Sequence, residues 1–125
     1  LQGATSTTFS HPPFDDSLTV PELFAYHAAN SPNHPLFVYP DERTKLTTIY
    51  YPEAFRAICK AAKFVSGHYK RSVDMISMPL AVLIDYPDAI TFFSLIVGIM
   101  HLGLIPFAIS TRNSAAGVAH LTKKT

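Results

Sequence analysis

An α/β fold, with a partial parallel sheet flanked by helices and a small antiparallel strand pair ahead of it, is predicted by three features of this sequence. Two short apolar runs, Leu80–Asp85 and Leu104–Ile109, bracket a helical stretch at Ala89–Leu102. Strand, crossover helix and strand make one βαβ unit. Its strands run parallel and are covered on both faces, so they are expected to be apolar throughout and not alternating. The third feature lies earlier: two short strands, Leu36–Tyr39 and Leu46–Tyr50, are separated by the polar turn Pro40–Lys45.

Composition sets the outer limits. The chain has 125 residues, 48% hydrophobic and 15% charged, enough for one domain with a real core and too apolar for a disordered segment. Formal net charge is +1, and Lys70-Arg71 and Lys123-Lys124 are the adjacent basic pairs, which leaves no electrostatic footprint for nucleic acid. A single cysteine, Cys59, excludes an internal disulfide and suits a reducing, cytoplasmic setting. The chain opens on Leu1 with no charged-then-apolar leader and reads as a processed, truncated or cloned piece.

Taken in order, residues 1–17 are rich in Thr, Ser and Pro and read as an extended or disordered lead-in to an ordered portion, 18–125. Thr19-Val-Pro-Glu22 is a capping box that starts a helix to about Asn30, with Leu23, Phe24, His27 and Ala28 on one face. Ser31–Pro35 ends it, and the strand pair follows. A second helix, Tyr51 to about Tyr69, places Phe55, Ile58, Cys59, Ala62, Val65 and Tyr69 in one apolar stripe. Glu53, Arg56, Lys60 and Lys63 lie opposite, and Phe64 is out of register on that polar side. Ser72–Pro79 links to the βαβ unit. There Pro87 and Asp88 suit a helix start and Gly103 a left-handed helix stop. Asn113 is the expected N-cap of a last helix, Ser114–Lys124.

The stretch 89–109 admits a rival reading. Its 21 residues contain no Asp, Glu, Lys or Arg, long enough for a single membrane span. His101, Gly103 and Pro106 break the run where a βαβ unit would, so a buried helix and strand are expected instead.

Three pieces resemble the N-terminal part of adenylate-forming enzymes, the superfamily of acyl-CoA synthetases, luciferases and adenylation domains of nonribosomal peptide synthetases (NRPS). Leu18–Tyr39 looks like the family's opening helix and first strand. Tyr51–Ala62 (YPEAFRAICKAA) resembles its Tyr-x-Glu-Leu helix start, with Ala54 in place of Leu. Leu95–Leu121 resembles its Leu-Lys-Ala-Gly…Tyr-Val-Pro motif, with His101-Leu102 replacing Lys-Ala. The phrase IPFAISTRNSAAGVAHLTKKT is most similar to fungal NRPS-like carboxylic acid (aminoadipate-type) reductases. The resemblance implies an N-terminal, incomplete portion of an AMP-binding domain. The parent would use ATP and Mg2+ to turn a carboxylic acid into an acyl-adenylate, with the remainder of that domain and a carrier domain as its partners.

The chain itself carries no recognisable ATP chemistry. Thr47-Thr48 and Ser114–Gly117 lack the Gly-x-Gly or Gly-Lys pattern that converges amides on a phosphate. His11, His27, His34, His68, His101 and His120 form no i, i+3 or i, i+4 pair, so no metal site is assigned. Cys59 in the apolar stripe reads as a core thiol, and His101 as a packing residue at its helix end. Asp85 and Asp88, at the end of a parallel strand, stand where α/β folds place ligands, though helix capping explains them more simply. Arg112, just past the second parallel strand, is the first suspect for touching a ligand or neighbouring domain against a solvated loop residue. No catalytic, cofactor-binding or metal residue is therefore assigned, and the chain alone is expected to be inactive. A non-catalytic α/β binding module is the alternative.

Overall fold

The computed structural model describes residues 5–68, 79–84 and 88–124. They form two compact units, Leu1–Lys60 and Ala61–Thr125. The first holds α1 (Val20–Asn30), β1 (Pro35–Pro40), β2 (Leu46–Tyr50) and the start of α2 (Tyr51–His68). The second holds the end of α2, then β3 (Pro79–Ile84), α3 (Ala89–His101), β4 (Ile105–Ser110) and α4 (Ala115–Lys124). The fold is mixed α/β, and both predicted strand pairs form.

In the first unit β1 and β2 are antiparallel, with Val38 opposite Thr48, Pro40 opposite Leu46 and a register shift between Pro35 and Phe37. Asp41 builds the turn. Its Oδ1 accepts the N–H groups of Arg43 (2.8 Å) and Lys45 (3.0 Å), and the Asp41 N–H donates to the Lys45 carbonyl at 2.8 Å. That geometry drives Thr44 to φ 58°. At α1 the Glu22 carboxylate reaches back as predicted, accepting the Thr19 N–H at 2.7 Å and the Thr19 hydroxyl at 2.8 Å.

Along α2 the buried row is Ala54, Ile58 and Ala62, one residue every four. Phe55, Cys59 and Val65 are half-buried, and Glu53, Arg56, Lys60 and Lys63 are exposed. The stripe is thus centred nearer its alanines than the sequence suggests, because bulky side chains at its margin drew the expectation toward themselves. Tyr69 lies outside the described residues. Phe64 is exposed, its ring 4.5 Å from that of His68, whose Nδ1–H donates to the Phe64 carbonyl.

In the second unit β3 and β4 are parallel, from Pro79 opposite Ile105 to Ile84 opposite Ser110. Helix α3 packs along β4. Val97, Ile99 and Ile109 are buried, and each such side chain withdrawn from water contributes about 1.5–3 kcal/mol. Asp88 caps α3: its Oδ1 accepts the Thr91 N–H at 2.7 Å and its Oδ2 the Thr91 hydroxyl at 2.8 Å. Gly103, at φ 74°, ends it. The Gly103 N–H donates to Met100 and the Leu104 N–H to Ile99, the paired bonds of a Schellman stop.

Of three expectations for this unit, the first is met and the other two are corrected. First, α3 spans only 13 residues before its glycine stop, and no helix among the described residues is long and apolar enough to cross a membrane. The run 89–109 is a helix and a strand, because Gly103 turns the chain between them. Second, β4 is not covered on both faces. Ile105 is 55% exposed and Ala108 is also exposed, since α3 shields only part of the strand. Third, α4 is capped by Ser114 and not Asn113. The Gly117 N–H donates to Ser114 Oγ at 3.1 Å, while the Asn113 Nδ2 is spent on the Ser110 carbonyl, closing the preceding turn.

Candidate functional site

The most organised group of polar and aromatic side chains lies where residues 5–11 meet the end of α1. His27 is carried on the inner face of α1, with Ser31 one turn later at the C-cap, so both point the same way. The His27 ring lies 4.8 Å from Phe9, nearly parallel to it, and 4.7 Å from Tyr51 at the start of α2. Tyr26 meets it edge-on at 5.4 Å. Phe9 also contacts His11 (5.3 Å) and His34 (5.0 Å), both edge-on. Three histidines from separate segments thus gather around one phenylalanine. Helical spacing alone gives no sign of this, because only His27 is on the helix.

A short chain of hydrogen bonds runs through the group. The Ser10 N–H donates to Ser31 Oγ at 2.9 Å, and Ser31 Oγ lies 3.1 Å from His27 Nδ1. The Ser10 N–H, the Ser31 hydroxyl and His27 Nδ1 are all paired when the hydroxyl donates to Nδ1 of a neutral ring protonated on Nε2, a tautomer assigned from these bonds. Among the described residues no buried side-chain N or O lacks a partner. Burial first, and the neighbouring His34 second, hold His27 below the usual histidine pKa. Burial also pushes the Tyr51 phenol up.

What this group can do chemically is limited by access. A serine hydroxyl against an imidazole is the pairing used to make a nucleophile, but Ser31 is fully buried and His27 is 3% exposed. No substrate reaches either. Among the described residues no three His, Cys, Asp or Glu side chains are grouped to hold a metal ion. The cluster packs, and it positions residues 5–11.

A second feature is an open groove of about 260 Å3 lined by Pro12, Pro13, Phe14, Leu18, Val20 and Leu23. Asp16 is the charged side chain on its wall, a carboxylate that would repel a polyphosphate.

The residues singled out from sequence are spread apart in their roles. Asp88 is a helix cap; Asp85 lies outside the described residues. Arg112 is exposed after β4, its N–H donating to Ser110 Oγ at 3.2 Å. Cys59 is a free, half-buried thiol, not a fully buried one. His101 is exposed at the end of α3. His68 and His120 are exposed. Thr47 and Thr48 are half-buried in β2, and Ser114–Gly117 is a helix start whose amides serve the cap.

Comparison with known proteins supplies what the geometry does not. Over 128 residues, 98% of this chain, the sequence is 38% identical to the adenylate-forming reductase Nps10 of Heterobasidion annosum. The chain is a relative of the adenylate-forming reductases. Identity is 35% over 96% of the chain to adenylate-forming reductase Nps11 of Serpula lacrymans var. lacrymans, and 27% over 92% to Nps9 of the same fungus. The resemblance stated from the three motif stretches is therefore borne out, including its lean toward NRPS-like reductases. The chain spans 10–12% of the length of these adenylate-forming reductases. No family model matches it.

Proposed function

We propose that this chain is the front portion of an adenylate-forming enzyme that activates a carboxylic acid for reduction. In that reaction a carboxylate oxygen attacks the α-phosphorus of ATP, the α–β phosphoanhydride bond breaks, and acyl-adenylate and pyrophosphate result. One observation carries the reading: near-complete coverage of this chain, 92–98% of it, by proteins named adenylate-forming reductases. ATP is the co-substrate, with Mg2+ as the counter-ion of its phosphates. The rest of the adenylation domain supplies the phosphate loop, and a carrier domain in the same protein receives the acyl group. The share of the chain described above is structural: it builds strands and helices against which the remaining domain assembles.

The test is acid-dependent ATP–pyrophosphate exchange on the longer protein whose front this chain forms, with the 125-residue chain as control. Exchange that depends on one or more carboxylic acids, absent from the control, supports the proposal. A folded longer protein that gives no exchange across a broad acid panel overturns it in favour of a non-catalytic binding module.

A further inference from the structure

We propose that His27 is an acid-sensitive latch: its neutral ring holds residues 5–11 against the C-terminal end of α1, and its protonation releases them. The segment has no helix or strand of its own, so side-chain contacts hold it in place. The Ser10 N–H bonds to Ser31 Oγ (2.9 Å), the Ser10 hydroxyl donates to the Asn30 carbonyl (2.8 Å), and the Tyr26 hydroxyl donates to the His11 carbonyl (2.9 Å). Thr8 Oγ1 lies 2.9 Å from His34 Nδ1. Phe9 is the apolar anchor, and its ring rests on His27.

Protonation acts at the centre of these contacts. An imidazolium Nδ1 carries a hydrogen and must donate, so Ser31 Oγ would have to accept from Nδ1 and from Ser10 together. The serine hydrogen would then lose its acceptor inside a fully buried site. A cation would also be trapped without a counter-ion. The titratable groups around the ring are His34 from the loop before β1, Tyr51 from α2 and Tyr26 from α1, with His11 against Phe9. None of these is a carboxylate, and a positive His34 opposes the charge. The faces of Phe9 and Tyr51 favour a cation modestly. Burial and His34 outweigh that, as the lowered pKa of the ring records.

Linkage fixes the direction. With the segment released, His27 titrates near its ordinary value of 6.5; with it docked, the ring resists the proton. Docking is therefore whole above that value and weakens as pH falls below it. The loss grows until the docked ring also titrates, and its full extent is set by how far docking lowers the pKa of the ring.

NMR on the 15N-labelled chain tests this, with imidazole spectra and amide exchange followed from pH 7.5 to 5. His27→Phe provides a ring that stacks and does not titrate. The latch requires the Nε2–H tautomer at pH 7.5, and Phe9 and Ser10 amide signals that shift with the His27 midpoint. It also requires a loss of Ser10 protection relative to H27F, while the Ile99 amide stays protected. Should H27F fail to fold, coincidence of the Ser10 and His27 midpoints in the wild-type chain decides. An Nδ1–H tautomer at pH 7.5, a Ser10 amide indifferent to the His27 titration, or simultaneous loss of protection at Ile99 overturns the latch.

Discussion

Thr44 shows how one residue's conformation is set by its neighbours and not by its own preference. Asp41 gathers the Arg43 and Lys45 amides onto one oxygen, and the chain between them must pass through the left-handed region. A β-branched residue tolerates that region poorly, whereas Asn enters it with a local hydrogen bond, and the difference is about 1 kcal/mol. Thr44→Asn is expected to raise the urea midpoint of the chain by a corresponding amount. An unchanged or lower midpoint would mean the turn is not strained at Thr44. Gly103 meets the same demand with no side chain, at φ 74°, and here the residue type alone announced the conformation. His27 is the opposite case. Its place on the apolar face of α1 is legible from helical spacing, but the rings that enclose it come from residues 9 and 51, far along the chain.

At the scale of elements, the helix ends carry the most readable information. The Asp88 carboxylate accepts the Thr91 N–H and hydroxyl, and these bonds hold its pKa below the ordinary 3.8. A carboxyl whose pKa is depressed by folding adds stability that is full above the unfolded value and is lost as pH falls through it toward the folded one. Asp88→Ala should therefore melt earlier than the wild-type chain at pH 7, with the gap narrowing as pH falls below 3.8, as followed by circular dichroism. A gap independent of pH would assign the loss to something other than the charged cap. The α4 cap falls on Ser114 for a physical reason: Asn113 and Ser114 are both good caps, and the choice depends on Ser110 offering its carbonyl to the Asn113 side chain. Sequence spacing does not encode that carbonyl's direction.

For the molecule as a whole, apolar surface is the outstanding quantity. Among the described residues each sheet has two strands, so every strand has one edge without a neighbouring strand. Val38, Leu46 and Ile105 are more than half exposed, at 54%, 74% and 55%. Unpaired edges with apolar side chains invite association, and a lysine on an edge strand blunts it. Ile105→Lys should reduce concentration-dependent light scattering of the isolated chain without lowering its melting midpoint. Scattering unchanged by the substitution would place the sticky surface elsewhere.

The sequence by itself determined the order of the elements, the parallel and antiparallel pairings, the glycine stop and the kinship with adenylate-forming reductases. These rest on periodicity, punctuation and motif order, which are local properties of a chain. Tertiary structure alone decided that residues 5–11 dock on α1, that Ser114 and not Asn113 caps α4, and that β4 is covered only in part. Those outcomes depend on which groups a side chain meets. That is fixed by the folded path and the hydrogen bonds left unmet along it, whether the partner is distant, as Ser31 is from Ser10, or close but reached only in one backbone geometry, as Ser110 is from Asn113.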